Sequence, residues 1–195
     1  MQRVRESLSQ TITLPCPHGR YNAEHSGLDT ELLQLETLRL YTPVMHTTRS
    51  PNARQVLTKG PDTYVVPANS LIYINNSALH TNPKTWGSDS LEFRPTRWLS
   101  QSSESEDVLV TMPRGTFLPW SGGPRVCPGQ KMSQVEFVAV IATIFSRYTV
   151  APVLENGETM GGAKERLRGV IEDSQPRLTL QMNNPQEVKL KWSKR

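Results

Sequence analysis

The chain is expected to be mainly α-helical with small β-sheets, an α+β arrangement, on three observations. Leu32, Leu33, Leu35, Leu38 and Leu40 form a broad apolar stripe at helical spacing. A longer apolar stretch, spanning residues 128 to about 148, holds Val135, the run 137–142, Ile144 and Phe145. Between the two lie short β-branched and aromatic runs set off by Pro, Gly and Asn, the pattern of short strands and turns.

Composition bounds the function classes. A length of 195 residues suits one domain or a piece of one, and 36% apolar against 21% charged residues allows a modest core. Two cysteines cannot build a disulfide framework. No apolar run approaches the roughly 20 residues that span a bilayer. The start, Met-Gln-Arg-Val-Arg-Glu-Ser, has no apolar segment behind its basic residues, so no signal peptide is expected. The net charge of +4 owes part of its excess to the end, Lys-Leu-Lys-Trp-Ser-Lys-Arg. No pattern interleaves aromatic with basic residues, and no nucleic-acid partner is expected.

Residues 1–28 are polar, punctuated by Pro15, Pro17, Gly19 and Gly27, and are expected to be irregular. The first helix follows, with Asp29 as its cap and Pro43 as its stop. Residues 64–66 and 70–74 read as short strands around a Pro-Ala-Asn turn, and 76–80 as a helical turn. Residues 81–100 read as ordered loop, and 100–107 as a polar surface insert. Residues 116–129 are a Pro- and Gly-rich loop. Pro128 then suits the first turn of a long helix, where a missing N–H costs nothing. That helix is apolar almost all round, which predicts burial. Residues 149–153, 177–182 and 187–192 are candidate strands.

The most informative stretch is Phe117-Leu-Pro-Trp-Ser-Gly-Gly-Pro-Arg-Val-Cys-Pro-Gly-Gln-Lys131. Cys127 precedes a helix N-terminus, whose N–H groups and partial positive charge suit an anionic sulfur. Gly129 is expected to let the backbone turn beside that sulfur where a Cβ would obstruct. Gly122 and Gly123 let the chain lie flat against a planar ligand, and Arg125 suits a carboxylate at the ligand's edge. Zinc wants four ligands, and no second Cys or His is near. A single soft axial ligand to haem iron fits better, as a thiolate there favours O–O cleavage. For Cys-x-Gly alone, a structural cysteine in a turn would be the better reading.

Trp120-x-x-Gly123-x-Arg125-x-Cys127-x-Gly129 resembles the haem-binding signature of the cytochromes P-450, the haem-thiolate monooxygenases. Phe is usual at the first position, and Trp120 keeps an aromatic ring there. The extended form, Pro-Trp-Ser-x-Gly-Pro-Arg-x-Cys-Pro-Gly-x-Lys, resembles fungal members. The resemblance implies haem b (iron protoporphyrin IX), with Cys127 as the axial ligand, Arg125 on a propionate, and Trp120, Gly123 and Gly129 shaping the cradle. It also implies an electron-donating reductase and a small organic substrate as partners.

Glu36 and Arg39 lie three apart on one helical face, a spacing that by itself describes a solvated surface pair. Glu36-Thr-Leu-Arg39 resembles the family's Glu-x-x-Arg helix, and Phe93-Arg-Pro-Thr-Arg97-Trp98 its Phe-x-Pro-x-Arg segment. The resemblance implies a buried network of Glu36, Arg39 and Arg97 behind the cysteine loop, structural and not catalytic. Arg49 stands where the family often places a propionate-binding arginine; it also reads as an ordinary loop residue. Residues 44–48 are then expected to border the substrate pocket. His80 reads as a packing or hydrogen-bonding residue. Cys16, His18 and His25 supply only three ligands, a weak metal half-site.

The resemblance runs from about Leu32 to about Met182, so residues 29–195 read as the carboxyl-terminal portion of the family fold. No Ala/Gly-Gly-x-Asp/Glu-Thr pattern of the distal oxygen-activating helix occurs. No membrane anchor is seen, although the family implies association with the endoplasmic reticulum inside the cell. No catalytic residue is expected in this portion. Weak, dissociable haem binding and marginal stability are expected, since the long helix lacks packing partners. A non-catalytic haem-binding or interaction fragment, or a non-functional remnant, is the alternative.

Overall fold

The computed structural model of the chain describes residues 23–100 and 108–195. Helix α1 (Ala23–Leu40) opens this part. Strand β1 (His46–Arg49) pairs antiparallel with β4 (Ile72–Asn75), and between them β2 (Gln55–Lys59) and β3 (Asp62–Val66) form a hairpin. Short helices α2 (Asn76–His80) and α3 (Pro83–Trp86) follow, then 3-10 turns at Pro95–Trp98 and Gly123–Arg125. Helix α4 (Gln130–Arg147) leads directly into β5 (Tyr148–Pro152). Helix α5 (Met160–Glu172), the β6 (Ser174–Pro176) and β7 (Leu180–Met182) hairpin, a 3-10 turn at Pro185–Glu187 and β8 (Leu190–Lys194) complete the chain. Strand β8 returns to pair with β5. The architecture is thus helices with small antiparallel sheets of two strands each.

The core lies under α1. Leu32 and Leu35 pack with Trp86 and Trp98, and Leu28, Leu99, Leu109, Met112, Phe117 and Trp120 close over them. The aromatic rings interlock: Trp86 meets Trp98 edge-on at 5.4 Å, and Phe117 lies 4.8 Å from Trp98. The apolar spacing of α1 therefore seats the segments before and after the cysteine loop on one surface. Helix α5 buries Ala163, Leu167 and Val170 on a second face.

Several expectations are corrected. Helix α1 starts at Ala23, so Asp29 lies inside it, and residues 23–28 are helical rather than irregular. The strands at 62–66 and 72–75 do not pair with each other; each has an upstream partner, β2 or β1, reached through a Gly60-Pro61 turn or the β2–β3 excursion. Residues 81–100 contain two short helical turns. Helix α4 begins at Gln130 with Gly129 as its cap, leaving Pro128 ahead of the first turn.

The largest correction concerns burial of α4. None of its residues is buried, and Met132 and Val135 are 72% and 68% exposed. Its all-round apolar pattern asks for partners on every side, and the described residues give it α1 along one side and Trp192 of β8 against Phe145 near its end. Helix α5 was not expected at all. Its signals are Thr159, whose Oγ1 caps Gly162 N–H at 3.1 Å, and the helical spacing of Ala163, Leu167 and Val170. The predicted strands at 177–182 and 187–192 contract to 180–182 and shift to 190–194. The polar insert at 101–107 and the side chains of Cys16, His18 and His25 lie outside the described residues.

Candidate functional site

Glu36 is fully buried and accepts five hydrogen bonds. Arg39 grips it with two N–H groups, at 2.9 and 2.8 Å. Arg97 Nε donates at 2.9 Å, the Arg94 backbone N–H at 2.8 Å and Trp98 Nε1 at 3.0 Å. The three remaining N–H groups of Arg39 reach the carbonyls of His80, Ser90 and Glu92, so all five of its donors are used. Its guanidinium also lies 5.1 Å from the Trp86 ring centre, a cation–π contact. Arg97 continues outward to the carbonyls of Trp86, Asp89 and Glu92 and to the Asp89 carboxylate. A carboxylate between two guanidiniums with every donor matched is the condition under which burying charge is tolerated.

Five contacts hold the cysteine loop and the start of α4 in place. His80, fully buried on α2, accepts the Leu118 N–H at Nε2, 2.9 Å away. Phe117 packs on the His80 ring at 5.0 Å. Trp120 Nε1 donates to Ser133 Oγ on α4 at 3.0 Å, and Gln34 of α1 donates to the Ser133 carbonyl at 3.2 Å. Arg49, at the end of β1, donates to Ser121 Oγ within the loop at 2.5 Å. The structure thus brings Glu36, Arg39 and Arg97 into one cluster, and Arg49 and Trp120 onto the cysteine loop.

The loop itself is tightly turned. The Cys127 N–H donates to the Trp120 carbonyl at 2.9 Å, and the Gln130 N–H to the Cys127 carbonyl at 3.2 Å. Gly123 has φ of +73°, a region that side chains with a Cβ rarely adopt. At Gly122 an added Cβ would press on Leu118 Cδ2 at 3.2 Å. Gly129 differs from expectation: φ is −83°, and a Cβ there would meet Cys127 Sγ at 3.7 Å, an ordinary contact. Among the described residues nothing obstructs a side chain at 129.

Cys127 is exposed and unbridged at the mouth of α4. Arg125, two residues before it, is exposed and makes no hydrogen bond or ion pair among the described residues. A thiol facing outward from a braced loop, with a cation alongside, fits a planar macrocycle with acidic edges. No group of three His, Cys, Asp or Glu side chains that could hold a metal occurs among the described residues. A separate cavity of about 710 Å3 lies between α1, α5 and the β6–β7 hairpin, walled by Leu33, Leu167, Ile171, Leu180 and Met182. It takes no residue from 44–48, the segment expected to border a substrate pocket. No helix among the described residues is long and apolar enough to cross a membrane.

Sequence reasoning missed several supporting residues. Trp98, Asp89, Ser121 and Ser133 all hold the cluster or the loop. Trp98 had a signal, being adjacent to Arg97; the serines had none, because a hydroxyl partner is chosen by tertiary placement.

The profile of the family described as Cytochrome P-450 matches residues 34–167. A phomenoic acid biosynthesis cluster cytochrome P-450 monooxygenase of Leptosphaeria maculans is 33% identical over 159 residues, covering 72% of this chain and 27% of the relative. Cytochrome P-450 monooxygenase 124 of Postia placenta is 32% identical over 187 residues, covering 92% of this chain and 34% of the relative. The 7-deoxyloganic acid hydroxylase of Catharanthus roseus is 34% identical over 152 residues, covering 75% of this chain and 26% of the relative. The chain therefore spans about a quarter to a third of the length of these curated relatives. With the match running from α1, across the cysteine loop, into α5, the chain belongs to the cytochrome P-450 family.

Proposed function

We propose that this chain is the haem-binding portion of a haem-thiolate monooxygenase, in which the Cys127 thiolate would hold the iron of haem b. The observation that carries this reading is the exposed sulfur of Cys127 on a loop joined to the Glu36 cluster through His80. Haem bound there supplies the iron on which dioxygen is activated. In the whole enzyme, one atom of O2 enters an organic substrate and the other leaves as water, with electrons delivered by a reductase.

The chain's own residues orient and brace. Arg125, exposed beside the cysteine, and Arg49, at the end of β1, would hold the propionates. Trp120 fixes the loop against α4 through Ser133, and Gly123 turns the chain so that Cys127 faces outward. Glu36, Arg39 and Arg97 keep the loop's base rigid and touch no reacting atom. Fungal and plant relatives are named as monooxygenases or a hydroxylase, which supports the reaction class for the whole protein.

A second reading, haem binding without turnover, is favoured by the open face of α4. Adding haemin to the purified chain tests both. A reduced CO complex with the Soret band of thiolate-bound iron, absent in Cys127→Ala, is expected. An identical spectrum in that variant removes Cys127 from the role. Oxygen-dependent product from the chain with a reductase would decide against the second reading.

A further inference from the structure

The buried histidine on α2 has a role that neither haem ligation nor the ion cluster explains. His80 is fully buried, yet it joins two separate parts of the protein. Its carbonyl accepts from Arg39 Nη1 at 3.0 Å, which ties it to the Glu36 cluster. Its ring accepts the Leu118 N–H at Nε2, at 2.9 Å, which ties it to the segment leading into Cys127. An imidazole accepts only at an unprotonated nitrogen, so the ring must be neutral with its proton on Nδ1. Nδ1 has no hydrogen-bond partner among the described residues, and the carbonyls of Leu38 and Arg39 at the end of α1 favour the protonated ring. Phe117 covers the ring at 5.0 Å.

We infer that His80 is a positioning residue whose neutral ring clamps the cysteine loop to the buried ion cluster, so that protonating the ring releases the loop. A proton on Nε2 would set two N–H groups face to face, and the Leu118 N–H would be left without an acceptor. The charged group facing the ring is Arg39 of α1, itself matched by Glu36; the loop presents only Phe117 and Leu118, neither of which titrates. Burial first, then the Arg39 charge, lowers the ring's pKa from its ordinary 6.5 to about 4, against the smaller pull of the two α1 carbonyls. The clamp is therefore closed at neutral pH and opens in acid. The dependence concerns the loop, not the sulfur, and it exists whether or not haem is bound.

Amide hydrogen exchange on the haem-free 195-residue chain tests this, with Leu118 read against the Trp86 and Trp98 core amides. After correction for the intrinsic pH dependence of exchange, Leu118 protection is expected to fall about tenfold for each unit of pH between about 6.5 and about 4, and to stay below that of the core amides throughout. His80→Gln keeps an acceptor that does not titrate, and should retain Leu118 protection without the pH dependence. His80→Phe keeps a ring against Phe117 but no acceptor, and should lose Leu118 protection at every pH. Protection at Leu118 that is unchanged in His80→Phe, or that falls with pH in His80→Gln as in the parent chain, overturns the inference. So does Leu118 protection that matches the core amides at every pH, since Leu118 would then open only with the whole fold. If His80→Phe does not fold, the His80→Gln profile decides. Because the measurement is made without haem, failure of the Cys127 assignment and failure of this clamp are read separately.

Discussion

Arg97 Nε donates to Glu36 Oε1 at 2.9 Å, joining residues 61 positions apart in a site from which water is excluded. Replacing Glu36 by Ala leaves the guanidiniums of Arg39 and Arg97 buried without their shared anion. The expected loss is about 3–5 kcal/mol, comparable to the whole stability of a marginal domain. Urea unfolding of Glu36→Ala should therefore show little or no folded baseline. Arg39→Lys should also destabilise, since an ammonium cannot reproduce five donors in a planar fork.

The glycines of the loop should separate. Gly123→Ala forces a Cβ into a positive φ and is expected to cost about 1–2 kcal/mol. Gly129→Ala meets ordinary contact distances at an ordinary φ. There the weaker cap opposes the gain in backbone entropy, and the net change should stay below about 1 kcal/mol. Thermal unfolding of the two haem-free variants makes the comparison.

The outer face of α4 is open, and polar substitutions on it should be harmless to the fold. Met132→Lys and Val135→Glu are expected to change stability by no more than about 0.5 kcal/mol, whereas truncating a packed core position costs about 2–5 kcal/mol. Both should lower self-association in light scattering, because an exposed apolar stripe is a surface on which copies gather.

Stability should also depend on pH through His80. Its folded pKa, about 4, lies below the unfolded 6.5, so the unfolded chain binds a proton first. The neutral ring's contribution is complete above about pH 6.5, declines as pH falls toward about 4, and changes no further below that. Denaturant midpoints measured across this window should decline in the parent chain and be flatter in His80→Gln.

The chemistry-bearing segments were legible because each is local. The order Trp120, Gly123, Arg125, Cys127 and Gly129 needs no tertiary information to be read, nor does Glu36 three residues before Arg39. The strands were legible one at a time but not in pairs: a run of β-branched residues marks an extended segment without naming its partner, and β3 and β4 each chose an upstream strand. Helix α5 carries Gly161 and Gly162 in its first turn, which weaken its local helix signal, although Ala163, Leu167 and Val170 keep helical spacing.

Residue order thus settled which side chains carry the sulfur, the cations and the carboxylate, and the family to which they belong. Only the three-dimensional arrangement decided that Glu36 takes five donors at once, that His80 reaches Leu118, that Gly129 is not crowded, and that α4 is exposed. The reason is physical: a hydrogen bond or a buried face depends on what is brought near from elsewhere in the chain, and a local pattern specifies only one side of that contact.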